Sequence, residues 1–269
     1  MRRHRAILAT ATATLTALAL AACGGSGDGG TTDAEAGSDL NLVSDGTLTV
    51  ATEGTYRPFT FHDATGDLVG YDVEVAEAVA DKLGLEVSFA ETQWDGIFAG
   101  LDAGRFDTIA NQVSMTPERL ESYEFSQPYT VSRGVVVVAE GDTAISSFAD
   151  LDGKTTAQSG TSNWRTLAEE SGAQIEVVEG WAQSVALIEQ GRVDATVNDS
   201  LTVLDYLNEH PDAPIEIAAE TDETSESGFV VTPERAALAE AIDGALDELR
   251  TDGTLTELSE KYFGTDVSE

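Results

Sequence analysis

From Gly46 onward, short apolar runs with a two-residue period alternate with longer stretches of three-to-four-residue period, most of them closed by a glycine. The first kind predicts strands at residues 47–51, at Leu85, Val87 and Phe89, and at residues 106–110. The second kind predicts a helix over residues 72–83, with Val75, Ala76, Val79, Ala80 and Leu83 on one face and Gly84 as its stop. Another covers residues 94–103 and ends at Gly104. A V-V-V-V run from Val135 has no wet face, so it predicts a buried strand near the start of a second lobe, followed by helices at residues 163–171, 181–190 and 201–208. Residues 228–231 read as one more strand. Thr232-Pro233-Glu234 then caps a long helix to about residue 250, and a short helix over residues 255–262 follows Asp252 and Gly253. This alternation is that of an α/β protein with mostly parallel sheets, its C-terminal helix pair returning to the first lobe.

One internal echo bears on the architecture. G-R-F-D-T-I-A-N at residues 104–111 recurs as G-R-V-D-A-T-V-N at residues 191–198. Each copy is a helix end, a tight turn and a strand with polar residues at its carboxyl edge, where open α/β sheets bind ligands. Shared geometry predicts two similar lobes facing one cleft; chance is the competing account of an eight-residue match.

The N-terminus differs in kind. Residues 1–22 carry Arg2, Arg3 and Arg5, no acid, and an Ala/Leu/Thr-rich run that reads as a secretory signal. The following L-A-A-C resembles the lipobox of bacterial lipoproteins, which implies that Cys23 becomes a lipidated N-terminus. Cys23 is the single cysteine, so an extracytoplasmic domain has no disulfide to hold it and must rely on its core. Residues 24–38, rich in glycine and serine, read as a flexible tether. Losing the three leader arginines takes the formal charge from −35 to −38, a surface that repels nucleic acid and serves solubility. No cofactor or metal is expected, and the chain reads as a monomer.

The chemistry centres on Arg119. Thr116 suits a helix N-cap, Pro117 the first helical position and Glu118 a first-turn acid, which leaves a cation at N3, against the helix dipole. Either an anion lies between its guanidinium and the helix N–H groups, or the arginine is exposed and pairs with Glu118 or Glu121. Asp199, just beyond the strand at residues 195–198, lies at the cleft edge of the second lobe and also suits an N-cap. Gln158, Ser159, Gly160, Thr161 and Ser162 lie between a strand and a helix, either as a cradle of N–H donors for a carboxylate or as an ordinary turn. The histidines (His4, His62, His210) form no catalytic set with a nucleophile, and no metal cluster or phosphate loop is present in the sequence.

G-Y-D-V-E-V-A-E-A-V-A at residues 70–80, M-T-P-E-R at 115–119 and E-F-S-Q-P-Y at 124–129 resemble the extracellular solute-binding proteins of polar amino-acid ABC importers. The likeness covers essentially the whole mature chain. E-G-T-Y-x-P-F from Glu53, W-D-G-I from Trp94 and N-Q-V from Asn111 are most similar to the cystine-binding branch.

The resemblance implies a two-lobed periplasmic-binding-protein fold: lobe 1 at residues 45–132 plus 228–269, lobe 2 at 133–227, and hinges at 130–134 and 224–228. It implies that Arg119, assisted by Ser114, holds an α-carboxylate, that Asp199 takes the α-ammonium, and that closure satisfies both. Tyr56 and Trp94 would wall the side chain, and Glu53 and Gln112 would read its far end, Glu53 meeting the second ammonium of L-cystine. Partners would be the amino acid and a membrane ABC permease. Glutamine-, arginine- or glutamate-type ligands, a sensory lipoprotein and a carboxylate-dependent dehydratase on the same fold are the alternatives.

Overall fold

The structure, a computed structural model, describes residues 40–269; the leader, Cys23 and the predicted tether to residue 38 lie outside the described residues. The chain opens with β1 (Thr47–Thr52), the short strands β2 (Thr55–Tyr56), β3 (Thr60–His62) and β4 (Leu68–Val69), and helix α1 (Tyr71–Leu83). Next come β5 (Glu86–Glu91), α2 (Trp94–Asp102), β6 (Thr108–Ile109), the single turn α3 (Pro117–Leu120) and β7 (Glu124–Phe125). The middle of the chain holds β8 (Thr130–Ala139), β9 (Thr155–Ser159), α4 (Asn163–Glu170), β10 (Gln174–Val178), α5 (Trp181–Glu189), β11 (Ala195–Asp199), α6 (Ser200–Glu209) and β12 (Ile215–Ser227). β13 (Val230–Val231), α7 (Ala236–Asp252) and α8 (Thr254–Phe263) complete it.

Two five-stranded sheets result, in the orders β5-β1-β6-β13-β7 and β10-β9-β11-β8-β12. The two orders correspond strand for strand. In each, three strands run parallel and the last two are antiparallel to their neighbours. The antiparallel members are those in which the chain passes from one sheet to the other, so their direction follows from connectivity.

The echo has a common geometry. Gly104 and Gly191 both adopt φ 64°, the left-handed region in which a Cβ is costly. Asp107 N–H donates to Thr49 O at 2.8 Å while Thr49 N–H donates to Asp107 Oδ2 at 2.8 Å. Asp194 and Thr155 exchange the same pair of bonds at 2.8 and 2.7 Å. In both sheets the aspartate after Gly-Arg therefore pins a central strand to its parallel neighbour. Asp107 is also fully buried, accepts Val43 N–H at 2.7 Å and lies 3.8 Å from Arg235, whereas Asp194 is exposed.

The V-V-V-V run is buried on both faces, as its composition requires. Val135 and Val137 face α5 and α6 with Val185, Ile188 and Val203; Val136 and Val138 face α4 and Leu151. Burying each such side chain contributes about 1.5–3 kcal/mol. In the other sheet Leu48 and Val50 pack on α1 and on Leu238, Ile242, Leu246 and Leu249 of α7, so the C-terminal helices do return to the first sheet.

Three predicted elements are shorter or different. Residues 106–110 give only the two-residue β6, because Phe106 fills the space beside Gly100 and the Asp107 carboxylate is turned to Thr49. Residues 228–231 give only Val230–Val231, since Phe229 N–H bonds the Ser126 hydroxyl. Thr232 starts a 3-10 turn, Pro233–Arg235, and not the long helix itself. Arg235 leaves helical geometry to reach Asn41 O and Phe106 O.

Asp107→Ala leaves two N–H groups without an acceptor and should lower the urea-unfolding free energy by roughly 1–3 kcal/mol or more. Asp194→Ala, whose partner amide can be hydrated, should cost clearly less. Equal losses would show that burial of the pair is not what matters.

Candidate functional site

The carboxyl edges of the two sheets face each other across a cavity. The loop after β1 supplies Glu53 and Tyr56, α2 begins with Trp94, and the segment after β6 supplies Asn111 and Gln112. From the other sheet come Gln158 at the end of β9, Ser162 and Trp164 at the start of α4, Trp181 at the start of α5, and Asn198 in β11.

Direct bonds join the two sides. Tyr56 OH donates to Asn198 Oδ1 at 2.9 Å, and Asp95 Oδ1 accepts from Thr161 N–H at 3.1 Å and from its hydroxyl at 2.9 Å. At the rim, Arg57 lies 3.5 Å from both Asp205 and Glu209. The lobes are closed.

Four buried polar atoms on lining residues lack a hydrogen-bond partner: Trp94 Nε1, Gln158 Nε2, Trp181 Nε1 and Gln112 Oε1. A buried polar group without a partner costs free energy, so a cluster of three donors and one acceptor around one cavity is a site built for a polar guest.

Glu53 sits in the floor, where Asn111 Nδ2 donates to its Oε2 at 2.9 Å and Asn111 Oδ1 accepts from its N–H at 2.8 Å. Burial pushes its carboxyl up, against the lowering effect of Asn111. Burial, assisted by the charge of Asp199, holds the Tyr56 hydroxyl well above its ordinary range. Gln112 has the left-handed φ of 51° and is fastened by Asp72, which accepts its N–H at 2.8 Å and its Nε2–H at 2.7 Å. Burial raises the Asp72 carboxyl to about 7.

The Arg119 side chain lines an adjoining recess together with Phe98, Thr161, Asn163 and Trp164. One guanidinium N–H donates to Ser114 O at 2.9 Å, and the group lies over Trp94 and Phe98 at 5.4 and 5.3 Å from the ring centres. Burial lowers it to about 10. Among the described residues no carboxylate lies within ion-pairing distance of it, so pairing with Glu118 or Glu121 does not occur. Thr116 caps the turn by accepting Arg119 N–H at 3.3 Å.

Asp199 does not line the cavity. It is the N-cap of α6, with Leu201 N–H at 2.9 Å and Ser132 Oγ as donors, and burial raises it to about 6. The structure therefore brings Glu53, Tyr56, Trp94, Gln112, Gln158 and Ser162 together, sets Arg119 and Thr161 beside them, and leaves Asp199 beneath. Ser114 lies outside both spaces, its hydroxyl accepting from Ser225 at 3.1 Å. The 158–162 cradle does hold a carboxylate at Thr161, but it is that of Asp95 from the other side. A Cβ at Gly160 would lie 2.8 Å from Asp95 Oδ2, so a side chain there would displace the Asp95 carboxylate.

Residues 48–265 match the model of the bacterial extracellular solute-binding proteins, family 3. The chain belongs to that family. It is 50% identical to the L-cystine-binding protein TcyA of Bacillus subtilis, over 85% of each chain. Among solved structures, the L-cystine solute receptor of Neisseria gonorrhoeae, unliganded and open, is 51% identical, covering 83% of this chain and 95% of that one, with a TM-score of 0.58. An ancestral arginine-binding protein bound to arginine is only 35% identical, covering 81% and 99%, yet has a TM-score of 0.77. The less similar, arginine-bound protein thus superimposes better than the unliganded open one. No described helix of this solute-binding protein is long and apolar enough to cross a membrane.

Trp164, Trp181, Asn111 and Asn198 were not among the predicted site residues. Trp181 follows Gly180 at a helix start, as Trp94 follows a loop, and the two asparagines end the echo; both signals were present in the sequence.

A carboxyl whose folded value lies above its unfolded value near 3.9 holds its proton more tightly when folded, so stability falls as pH rises between the two values. For Asp199 that window runs from about 4 to about 6. The urea stability of the wild type relative to Asp199→Asn should decline with rising pH across this window and level off above it. A difference independent of pH would show that burial does not shift Asp199.

Proposed function

We propose that this protein captures a polar amino acid, L-cystine in particular, outside the cytoplasmic membrane and presents it to an ABC importer. The observation that carries the reading is the closed cavity whose walls hold three unpartnered donors and one unpartnered acceptor, a match for the carboxylate and ammonium of a zwitterion. The adjoining recess shares Asn163 and Trp164 with the cavity and contains the Arg119 guanidinium, which suits a long ligand with a second carboxylate. The cystine-binding names of two relatives at 50 and 51% identity support the same ligand.

Glu53, Tyr56, Trp94, Gln112, Gln158 and Ser162 are the proposed contacts in the cavity, with Arg119 and Thr161 at its side; Ser114, Gly160 and Asp199 support them from behind. Opening turns on residues 130–134 and 224–228, where Thr130 pairs with Ser227 and Arg133 with Thr224, between a lobe at 45–132 plus 228–269 and one at 133–227. Such hinge motion lets ligand bonds to both lobes favour the closed state. The protein binds without turning its ligand over, and Cys23 carries the lipid anchor.

Calorimetry on residues 24–269 with the common amino acids and L-cystine should give a Kd for L-cystine of about 1 μM or below, roughly −8 kcal/mol. Silence across the panel would sink the reading, and mass spectrometry should recover the ligand unchanged. Arg119→Ala should cost about 2–5 kcal/mol of L-cystine binding, since it strips a carboxylate of a desolvated partner. Affinity kept within about threefold would remove Arg119 from the site.

A further inference from the structure

We propose that Asp72 is a positioning residue for ligand selection: it ties up the Gln112 amide nitrogen and so leaves the oxygen of this cavity-lining residue as an unpaired acceptor that requires a ligand ammonium. The inference rests on the amino-acid reading above and adds to it the residue that sets the polarity of one wall.

Asp72, second residue of α1, is fully buried. Its Oδ2 accepts the Gln112 backbone N–H and its Oδ1 the Gln112 Nε2–H, at 2.8 and 2.7 Å. Gln112 Nε2 also donates to Thr130 Oγ1 at 3.0 Å. With Asp72 ionised, above about pH 7, its carboxylate only accepts, so the side-chain nitrogen turns to Asp72 and the oxygen turns away from it. That oxygen, on a residue 7% exposed, has no partner in the protein and belongs to a residue that lines the cavity. The bond to the backbone N–H adds a second constraint, because Gln112 at φ 51° holds a conformation that non-glycine residues rarely take. Two contacts thus hold the side-chain amide and a third holds the backbone of the same residue; Asp72 supplies the third and one of the first two.

Asp72→Asn is nearly isosteric and tests this directly. Its oxygen still accepts the Gln112 backbone N–H, but its NH2 now donates, so the Gln112 amide turns over and presents a donor to the cavity. The probes are L-cystine and 3,3′-dithiodipropionic acid, the same skeleton without either ammonium. In the wild type L-cystine should bind more tightly by roughly a hundredfold or more, because the analogue leaves the acceptor unpaired. In Asp72→Asn the affinity for L-cystine should fall by about tenfold or more, while that for the analogue changes by less than about threefold or rises. Equal losses for both probes, or none for either, would overturn the proposal.

A second measurement does not depend on the ligand. In the free wild-type protein the Gln112 side-chain amide protons, assigned by their loss in Gln112→Met, should exchange slowly with solvent; in Asp72→Asn they should exchange rapidly. Fast exchange in the wild type overturns the proposal even if the variant does not fold. Failure of the wild type to bind L-cystine with the amide still protected would instead discard the choice of ligand and leave the positioning role standing.

Discussion

Everything in this molecule depends on the antiparallel pairing of β8 with β12. Two sheets can face each other across a ligand only if the chain crosses between them and returns, and this ribbon carries both crossings side by side. At one end it is bonded into the first lobe, through Tyr129 N–H to Ser227 O, Met115 N–H to Glu226 O and Val131 N–H to Val267 O. At the other it becomes two strands of the second sheet, with Val135–Val138 buried on both faces. The register breaks between Glu220 and Thr224, so the pairing between the lobes is short and is set off from the sheet. A short ladder between two well-packed bodies bends more easily than either body deforms.

Closure is held by contacts that are individually weak. The Arg57 pairs with Asp205 and Glu209 are long and solvated, and such pairs contribute little to stability. The Asp95–Thr161 bonds are better formed but lie at the exposed edge. Against these stand four buried polar atoms that lose water when the cavity shuts. A ligand that satisfies those atoms tips the balance, since it interacts with both lobes only in the closed form. The strongly acidic surface works in the same direction: like charges on the two lobes resist closure in the absence of a ligand.

Much of the fold was legible because hydrophobic period and end signals are local. α1, α2, α4, α5, α6 and the stop at Gly84 all lie within two residues of expectation. Where expectation failed, a long-range bond had intervened: Asp107 to Thr49 shortened β6, and Arg235 to Asn41 and Phe106 delayed α7. In the site, Glu53, Tyr56, Trp94, Gln112, Gln158 and Ser162 line one cavity. Asp199 does not, because the N-cap bond from Leu201 N–H takes its Oδ1 and the distant Ser132 hydroxyl takes its Oδ2. Thr161 did meet a carboxylate, though one that belongs to the protein.

By itself, the sequence determined the strands and helices, the duplicated strand-turn geometry at Gly104 and Gly191, the family, and most of the residues at the carboxyl edges of the sheets. These follow from periodicity, backbone conformation and short motifs, all of which act over a few residues. Tertiary structure alone decided which polar atoms remain without partners. Asp95 filling the cradle at Thr161, Asp199 turning to Ser132, Asp72 turning Gln112, and Arg119 lying over Trp94 and Phe98 each pair residues distant in the chain or in opposite lobes. Hydrogen-bond partners are assigned by competition among all groups brought within reach, and which groups come within reach is settled only once the two lobes are packed and closed.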